Sequence, residues 1–420
     1  MSNFAENKIY MKRYFILFAA LCLIASAAVG KTRKTLFVII DGIPADCVER
    51  LQPPTIMDIA HAGAYHRAFC GGEVSTYNET PTVSAIGYTS VLTGTWMNKH
   101  NVRGNGGIKA NYNYPTIFRV AKDQKRDVKT GIFSSWTDNR TILLGEGLKE
   151  TGCLRVDCSR DGYDLDTLRF PKKPGDLHIQ DIDRQVADDA AQCIAHDAPD
   201  VNWLYLWYPD DAFHYHGNGK ISDEALMEAD RMLGKVWREV KRREKQNGEE
   251  WLVIVTTDHG RENSGYGHGG QSERERTIWM AVNRRDLNGE FYSRNLSHVD
   301  IMPTICRYMG FALPQKTEFE IDGTPFCGPS DIYNMQALKY DADVLLTWEA
   351  REPGNADADI YYADTNNISL GDEDAWHKIA TVKAADCRYM VKLGQLPESK
   401  FYKFVVRTKA GTLNKWFLVK

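Results

Sequence analysis

Long apolar runs and amphipathic stretches alternate along most of the chain. The apolar runs are rich in β-branched and aromatic residues; they span residues 36–40, 128–133, 203–207, 252–256 and 277–282. Such runs are typical of strands buried on both faces of a mostly parallel sheet. Amphipathic helical patterns lie between and after them, at residues 181–196, 222–246 (with Ser222 as the expected N-cap) and 300–309. This alternation predicts an α/β fold, a doubly wound sheet with helices on both faces.

The pattern changes near Asp341. From there to the end of the chain, strand patterns replace helical ones, at residues 344–348, 359–363 and 396–407. An early strand tryptophan, followed later by a leucine-led turn into a Tyr-x-Phe-x-Val strand, resembles a fibronectin type III module. We therefore expect a large domain over 31–335 and a fibronectin type III-like β-sandwich over 341–420, with an irregular β appendage as the alternative.

The N-terminus has the pattern of a secretory signal. Lys12 and Arg13 precede a short apolar stretch, and small residues follow at positions 25–28. We predict a signal peptide over residues 1–30, with translation starting at Met11, and export to the periplasm or the extracellular space. A membrane anchor and a lipid-modified Cys22 are the alternatives. No later stretch resembles a membrane span.

Composition and charge narrow the function classes. The chain has 52 basic and 56 acidic residues, which argues against nucleic-acid binding through a basic surface. Hydrophobic residues make up 43% and charged residues 26%, an ordinary globular composition. Of the nine cysteines, Cys22 would leave with the signal, and the remaining even number permits disulfides in an exported chain. Cys153 and Cys158 are close enough in sequence to pair, although buried free thiols are an equally good interpretation.

Aspartate and histidine residues follow the predicted strands. Asp41 ends the first strand, Asp210 follows the third, and Asp258-His259 ends the fourth. His214 and His268 lie close behind in sequence. Carboxylates and imidazoles are ligands suited to zinc, and this set exceeds what one tetrahedral site needs. The pattern favours two metal ions, which together can clamp the attacking and leaving oxygens of an in-line displacement.

A serine stands at the start of another helical pattern. From Ser84 onward, small and apolar residues predict a helix that ends at Gly94. Backbone N–H groups at a helix N-terminus favour an anion, and coordination to a metal would activate a serine hydroxyl. The alternative is that Ser84 is only the N-cap of this helix.

These segments resemble the alkaline phosphatase superfamily, most closely its nucleotide pyrophosphatase/phosphodiesterase branch. Residues 81–94 match the nucleophile helix of that branch, with Ser84 in place of the usual threonine. Residues 209–217 match its Pro-Asp-x-x-Gly-His-x-x-Gly motif, except that Phe213 replaces a glycine. Asp41-Gly42 and residues 257–260 match two further metal motifs, and the resemblance extends over residues 34–329.

The resemblance implies a ligand set for two Zn²⁺ ions. One zinc would take Asp210, His214 and a third histidine, and the other would take Asp41, Asp258, His259 and the Ser84 oxygen.

The third histidine departs from the branch, which places it far downstream. After His298 the chain has only His377, which falls in the predicted β-sandwich. Other members of the superfamily keep a histidine soon after Asp-His-Gly, so His268 is our choice. His298 is the alternative.

Substrate contacts also follow from the resemblance. Asn105 falls on the asparagine that contacts a phosphoryl oxygen. Arg140 matches half of a Lys-x-Arg pair that grips phosphate in monoesterase relatives, while Asp138 stands where the lysine would be. His216 is a candidate substrate contact. For Arg140 and His216 an ordinary surface role is the alternative.

The resemblance implies a secreted hydrolase of phosphate esters, a phosphodiesterase or nucleotide pyrophosphatase. It would act through zinc-activated Ser84 and a phosphoserine intermediate. A phosphomonoesterase with the same site is the alternative. A sulfatase is disfavoured because residues 84–88 lack the Cys/Ser-x-Pro-x-Arg context. A binding protein whose catalytic domain is inactive is an alternative from a different class of function. Expected partners are a phosphorylated small molecule, nucleotide or glycan as substrate, and carbohydrate or protein at the β module.

Overall fold

The structure, a computed structural model, describes residues 31–352 and 354–419. The predicted signal peptide lies outside the described residues. The helices are α1 (Ala45–Leu51), α2 (Pro54–Ala62), α3 (Ser84–Thr93), α4 (Met97–His100), α5 (Ile117–Lys122), α6 (Leu177–His196), α7 (Tyr208–His216), α8 (Lys220–Asn247), α9 (Glu273–Arg276), α10 (Ile301–Met309) and α11 (Gln315–Glu318). The strands are β1 (Thr32–Ile40), β2 (Ala64–Phe69), β3 (Thr130–Ser134), β4 (Cys158–Arg160), β5 (Val201–Leu206), β6 (Glu249–Thr256), β7 (Thr277–Val282), β8 (Ile332–Tyr340), β9 (Asp343–Ala350), β10 (Asp357–Ala363), β11 (His377–Lys383), β12 (Arg388–Val391), β13 (Phe401–Arg407) and β14 (Thr412–Leu418).

A seven-stranded sheet in the order β2-β7-β6-β1-β5-β3-β4 organises the larger part of the molecule. Strands β6, β1, β5, β3 and β4 run parallel, and β7 pairs antiparallel with both β6 and β2. Alternate residues of β1 enter different cores. Val38 packs with α6 and α8 on one face, and Phe37 packs with α3 and α10 on the other. The predicted doubly wound, mostly parallel sheet with helices on both faces is confirmed.

The four predicted helices correspond to α3, α6, α8 and α10. One predicted N-cap differs from the structure. The helix predicted from Ser84 ends at Thr93, and Gly94 follows with a φ of 67°, a left-handed conformation that favours glycine. The N-cap predicted at Ser222 is wrong, because α8 begins two residues earlier, after Gly219. The buried Ser222 hydroxyl instead donates to the carbonyl oxygen of Gly217, at 2.6 Å.

Strands β8–β14 form two antiparallel sheets, one in the order β11-β10-β13-β14 and the other in the order β12-β9-β8. The sheets share a core to which Trp348, Tyr362 and Phe404 contribute, as expected for a β-sandwich. We call these strands the C-terminal module. Its likeness to fibronectin type III and the limits 31–335 and 341–420 stay predictions; β8 spans the gap between those two limits.

No helix in the described ranges combines the length and the apolar character that a bilayer crossing requires.

Candidate active site

Three strands of the large sheet deliver carboxylates to one place. Asp41 directly follows β1, Asp258 comes two residues after β6, and Asp210 lies in the first turn of α7, after β5. Because β1 lies between β5 and β6 and all three are parallel, their carboxyl ends meet at one edge of the sheet. All three carboxylates are buried. The sheet therefore concentrates negative charge at this edge.

One group of side chains, which we call the inner cluster, comprises Asp41, Asp258 and His259. Its potential ligand atoms all lie within 4.8 Å of one another. His259 Nε2 lies 3.2 Å from Asp258 Oδ2 and 3.7 Å from Asp41 Oδ1. Both of these carboxylate oxygens are buried, and no hydrogen bond reaches them. A buried carboxylate oxygen without a donor is costly unless a cation compensates it, so the inner cluster fits a metal ion.

The remaining oxygens of the inner cluster are held by hydrogen bonds. Tyr88 and Tyr205 both donate their hydroxyls to Asp41 Oδ2, the latter at 2.6 Å. The Gly42 amide donates to Asp258 Oδ1 at 2.9 Å. Each carboxylate therefore has one oxygen fixed by donors and one left for a cation, as is typical of the residues that support metal ligands.

A second group, which we call the outer cluster, comprises Asp210, His214 and His268. His214 Nε2 lies 3.2 Å from Asp210 Oδ2 and 3.1 Å from His268 Nε2. Ligand atoms of Asp210, His268 and the neighbouring His259 lie within 4.8 Å of one another, so the two clusters adjoin through His259. Whereas the inner cluster is closed to solvent, the His214 side chain is 41% exposed.

Backbone carbonyls set the tautomers of two histidines. His268 Nδ1 lies 2.8 Å from the Thr82 carbonyl oxygen, and His259 Nδ1 lies 2.9 Å from that of Gly260. A carbonyl oxygen only accepts, so in both rings Nδ1 carries the proton and Nε2 keeps its lone pair for a ligand. His298 is different, because its Nε2 donates to the Thr257 carbonyl oxygen at 2.9 Å.

The pKa shifts of the aspartates also differ between the two clusters. Burial and the neighbouring Asp258 raise the pKa of Asp41 well above its usual value, and burial raises the pKa of Asp258 to about 6. Burial alone would raise the pKa of Asp210, but Arg261 and His214 outweigh it, and the pKa falls below its usual value. Burial lowers the pKa of His268. The inner carboxylates thus repel each other, while Asp210 already has a cationic partner.

Ser84 is the first residue of α3, and Val83 occupies the N-cap. Its hydroxyl oxygen lies 3.3 Å from His259 Nε2, and the side chain is buried. The structure therefore places Ser84 against His259, the residue through which the two clusters adjoin, and at the positive end of a helix, with its hydroxyl not engaged as a cap.

Asn105 lies beside Ser84. Its Oδ1 accepts a hydrogen bond from the Ala85 amide at 2.9 Å, which assigns the acceptor end of the side chain. The Nδ2 end is consequently a donor. The side chain is thus anchored to the first turn of the helix that carries Ser84.

The structure places Arg140 and His216 differently. Arg140 donates through Nε to Asp161 at 2.6 Å and through Nη1 to Glu146, so two carboxylates already hold its guanidinium. His216 is exposed at the last turn of α7. A substrate role for either residue stays a prediction.

Sequence reasoning missed Arg261. This fully buried arginine donates to Asp210 Oδ1, and its Nε donates to the Gly42 carbonyl oxygen at 3.1 Å. Its guanidinium also lies 5.3 Å from the ring centre of Phe213, the residue that replaces the motif glycine. The only sequence signal was an arginine directly after Asp-His-Gly, and that position does not reveal that the side chain turns inward.

Every described cysteine is an unpaired thiol. Cys153, which sequence proximity offered as a partner for Cys158, is exposed. Cys158 instead has its sulfur within 4.8 Å of the Cys193 sulfur, which α6 brings beneath β4.

A family model described as type I phosphodiesterase / nucleotide pyrophosphatase matches residues 35–268, more than half of the chain. The chain belongs to this family. Members of the family are metal-dependent phosphoric ester hydrolases, and the match includes every residue of the two clusters and Ser84. The prediction of a phosphodiesterase/nucleotide pyrophosphatase is thus confirmed at the level of the family. No curated protein matches the chain.

Solved structures resemble the chain at low identity. A phosphonoacetate hydrolase from Sinorhizobium meliloti 1021 is 17% identical with a TM-score of 0.40, over 55% of this chain and 57% of that one. The chain thus spans little more than half of that hydrolase's own length. Murine ectonucleotide pyrophosphatase/phosphodiesterase 5 is 13% identical with a TM-score of 0.46, over 67% and 96%. A phosphonate monoester hydrolase from Silicibacter pomeroyi is 13% identical with a TM-score of 0.47, over 92% and 89%.

Proposed function

We propose that the protein is a secreted two-zinc hydrolase of phosphate esters, a phosphodiesterase or nucleotide pyrophosphatase with Ser84 as its nucleophile. The observation that carries this proposal is the position of the Ser84 hydroxyl. It lies 3.3 Å from His259 Nε2, at a helix N-terminus and beside buried carboxylate oxygens that lack donors. Few arrangements other than a metal-assisted nucleophile use all three features.

The donor set supports two ions. The inner cluster with the Ser84 oxygen would hold one zinc, and the outer cluster would hold the other. His268 is the proposed third histidine because its Nε2 faces His214 and its Nδ1 is fixed by Thr82. His298 uses Nε2 for a backbone carbonyl and has a structural role in this proposal. When bound, zinc supplies positive charge that lowers the pKa of the serine hydroxyl and neutralises charge on phosphoryl and leaving oxygens.

The protein's own groups orient and receive the phosphoryl group. The α3 amides and Asn105 Nδ2 donate to its equatorial oxygens, which gather charge in the transition state. Ser84 Oγ gives up its proton to solvent and forms a bond to phosphorus while the bond between phosphorus and the leaving oxygen breaks. The leaving oxygen takes up a proton from solvent and departs as the alcohol. Water then attacks the phosphoserine, which releases the phosphate product and restores the serine hydroxyl.

The surroundings favour a diester over a monoester. A monoester dianion calls for additional positive charge near the phosphate, and Arg140 is the residue that the resemblance offers for it. Asp161 and Glu146 already neutralise that guanidinium. We therefore propose phosphodiester or pyrophosphate bonds as the substrate class, with a nucleotide or a phosphorylated glycan or headgroup attached.

Turnover by Ser84 variants tests the proposal. The Ser84→Ala variant should lose turnover of bis-p-nitrophenyl phosphate by at least about 10³-fold, because no nucleophile remains, while metal content measured by elemental analysis stays near two zinc ions per chain. The Ser84→Thr variant keeps a hydroxyl, the usual nucleophile of the family, and should retain measurable turnover. Undiminished turnover by Ser84→Ala would overturn the proposal, as would faster turnover of p-nitrophenyl phosphate or p-nitrophenyl sulfate by the unaltered enzyme.

Export of the chain is part of the proposal. We propose that translation starts at Met11 and that residues 11–30 are removed during secretion. N-terminal sequencing of protein recovered from the periplasm or medium should begin near Lys31. Recovery from the cytoplasm alone, with residues 11–30 intact, would contradict this step.

A further inference from the structure

The loop between β2 and α3, residues 70–83, leads directly into Ser84, and we call it the nucleophile segment. It contains no helix or strand. Its last part is bound to the loop that carries a metal-ligand candidate. Thr82 Oγ1 donates to the Gly270 carbonyl oxygen at 2.9 Å, and the Thr82 carbonyl oxygen accepts from His268 Nδ1 at 2.8 Å. The position of this segment therefore bears on both Ser84 and His268.

Strand β14 of the C-terminal module covers the first part of the nucleophile segment. The rings of Tyr77 and Trp416 stack with centroids 5.5 Å apart and an interplanar angle of 14°. The Trp416 amide donates to the Tyr77 hydroxyl at 3.1 Å, and Lys415 pairs with Glu73 at 2.5 Å. Stacking, a hydrogen bond and an ion pair thus all fix the same short stretch.

A buried charge network keeps β14 in place on the larger domain. Lys99, in α4, is buried and donates to Asp322 at 2.6 Å and to the Asn414 side chain at 3.0 Å. Lys403 of β13 is also buried and pairs with Glu320 at 2.5 Å. Breaking one partner of such a network leaves an uncompensated buried charge, so sliding of the module across this surface is strongly disfavoured.

We propose that Trp416 and Lys415 are positioning residues for the active site, and that the C-terminal module is thereby a working part of the hydrolase. They act through the nucleophile segment. The C-terminal end of this segment binds His268 through the Thr82 carbonyl oxygen and leads directly into Ser84. Misplacement of a reacting group by about 1 Å costs on the order of 10²-fold in rate, so loosening of this segment should reach kcat. The inference rests on the proposed nucleophilic role of Ser84.

The test uses the full chain with Trp416→Ala, the ring-keeping Trp416→Phe and the charge-removing Lys415→Met. Arg407→Gln is the matched control, since Arg407 of β13 pairs with Glu318 of the larger domain at 2.9 Å and does not contact the nucleophile segment. Turnover of bis-p-nitrophenyl phosphate should fall about 10-fold in kcat for Trp416→Ala and a few-fold for Lys415→Met. Trp416→Phe should recover most of the kcat, and Arg407→Gln should equal the unaltered enzyme.

Amide hydrogen exchange provides a readout that does not depend on activity. The amides of Glu73, Ser75 and Thr80 all donate within the nucleophile segment, and they should exchange faster in Trp416→Ala and Lys415→Met but not in Arg407→Gln. If the unaltered protein has no turnover, the proposed function fails while exchange still measures the positioning contact. Unchanged exchange, or faster exchange with unchanged kcat in an active enzyme, overturns the positioning role. Lys415→Met removes only a partly exposed ion pair and should still fold. It therefore provides the test if Trp416→Ala does not fold.

Discussion

The inner and outer clusters contain similar side chains but balance charge in different ways. In the inner cluster two buried carboxylates, Asp41 and Asp258, each present an oxygen that no donor reaches. In the outer cluster Asp210 is paired with the buried guanidinium of Arg261. The inner carboxylates therefore repel each other, and burial together with this repulsion raises the pKa of Asp41, whereas the charge of Asp210 is already balanced by Arg261. In the proposed two-ion site, an ion in the inner cluster would therefore relieve repulsion between buried carboxylates, whereas an ion in the outer cluster would enter a site whose charge is already balanced.

The largest expected effect is on the inner cluster. Asp258→Asn removes one of the two orphaned carboxylates and should lower kcat by at least about 10³-fold, with loss of about one zinc ion per chain. Asp211→Asn is a matched control in α7, because burial raises the pKa of Asp211 to about 8 and asparagine mimics its protonated carboxyl group. Elemental analysis and bis-p-nitrophenyl phosphate turnover measure both effects. Equal losses of turnover and of bound zinc in the two variants would show that removal of any buried acid from this edge of the sheet has this effect. Metal ligation by Asp258 would then not be the cause.

A smaller effect is expected from the outer cluster. His214→Ala removes a ligand whose side chain is 41% exposed, so water can replace it at the ion. We expect a loss of about 10²-fold in kcat, partly recovered by added zinc, and no recovery for Asp258→Asn under the same conditions. Titration of activity against free zinc measures this. The proposed difference between the clusters would be wrong if added zinc restored the activity of Asp258→Asn, or if it failed to restore that of His214→Ala.

Substitution of Arg261 tests how the charge of the outer cluster affects its affinity for zinc. Arg261→Met keeps most of the side-chain volume beside Phe213 but removes the charge that pairs with Asp210. The outer site then becomes more negative, so it should bind zinc more tightly while kcat falls about 10-fold because Asp210 is less firmly oriented. Competition with a chromophoric chelator measures the affinity. Weaker zinc binding in this variant would mean that Arg261 orients Asp210 and contributes nothing through charge.

The smallest expected effect concerns the support of the inner cluster by His298, which donates to the Thr257 carbonyl oxygen. Burial lowers the pKa of His298 to about 4, against about 6.5 in an unfolded chain. Between these values the unfolded chain binds the extra proton, so the free energy of unfolding falls as pH drops from about 6.5 towards 4. His298→Gln should therefore show a Tm decrease between pH 7.5 and 5.5 that is a few degrees smaller than that of the unaltered protein. Calorimetry at the two pH values checks this, and parallel decreases would exclude the residue as a source of the pH dependence.

The sequence was sufficient for those parts of the molecule that follow from local patterns. The apolar runs located five of the seven strands of the large sheet, all but β2 and β4, and the residues after them located Asp41, Asp210 and Asp258 at its carboxyl edge. Strand direction was not accessible in this way, because the apolar run of β7 looks the same whether it lies parallel or antiparallel to β6.

Features that depend on tertiary contacts could not be predicted. Ser222 has the composition of an N-cap, but its hydroxyl is more favourably used by the Gly217 carbonyl oxygen, which the preceding turn brings close. Arg261 gains its role from Asp210, 51 residues earlier, and Trp416 from Tyr77, more than three hundred residues earlier. In each case the partner is set by the fold and not by spacing along the chain.

Gly42 links the two clusters through the backbone. It has a φ of 66°, and a Cβ at this position would overlap Asp210 Oδ1, so no other residue fits between the end of β1 and α7. The Gly42 amide holds Asp258, and its carbonyl oxygen holds Arg261. In the proposed two-ion site, the backbone at Gly42 would therefore help to set the spacing of the two ions, because its N–H and its carbonyl oxygen contact residues of both clusters or their partners. A spacing fixed in this way would suit a phosphoryl group, which has the same size in every ester.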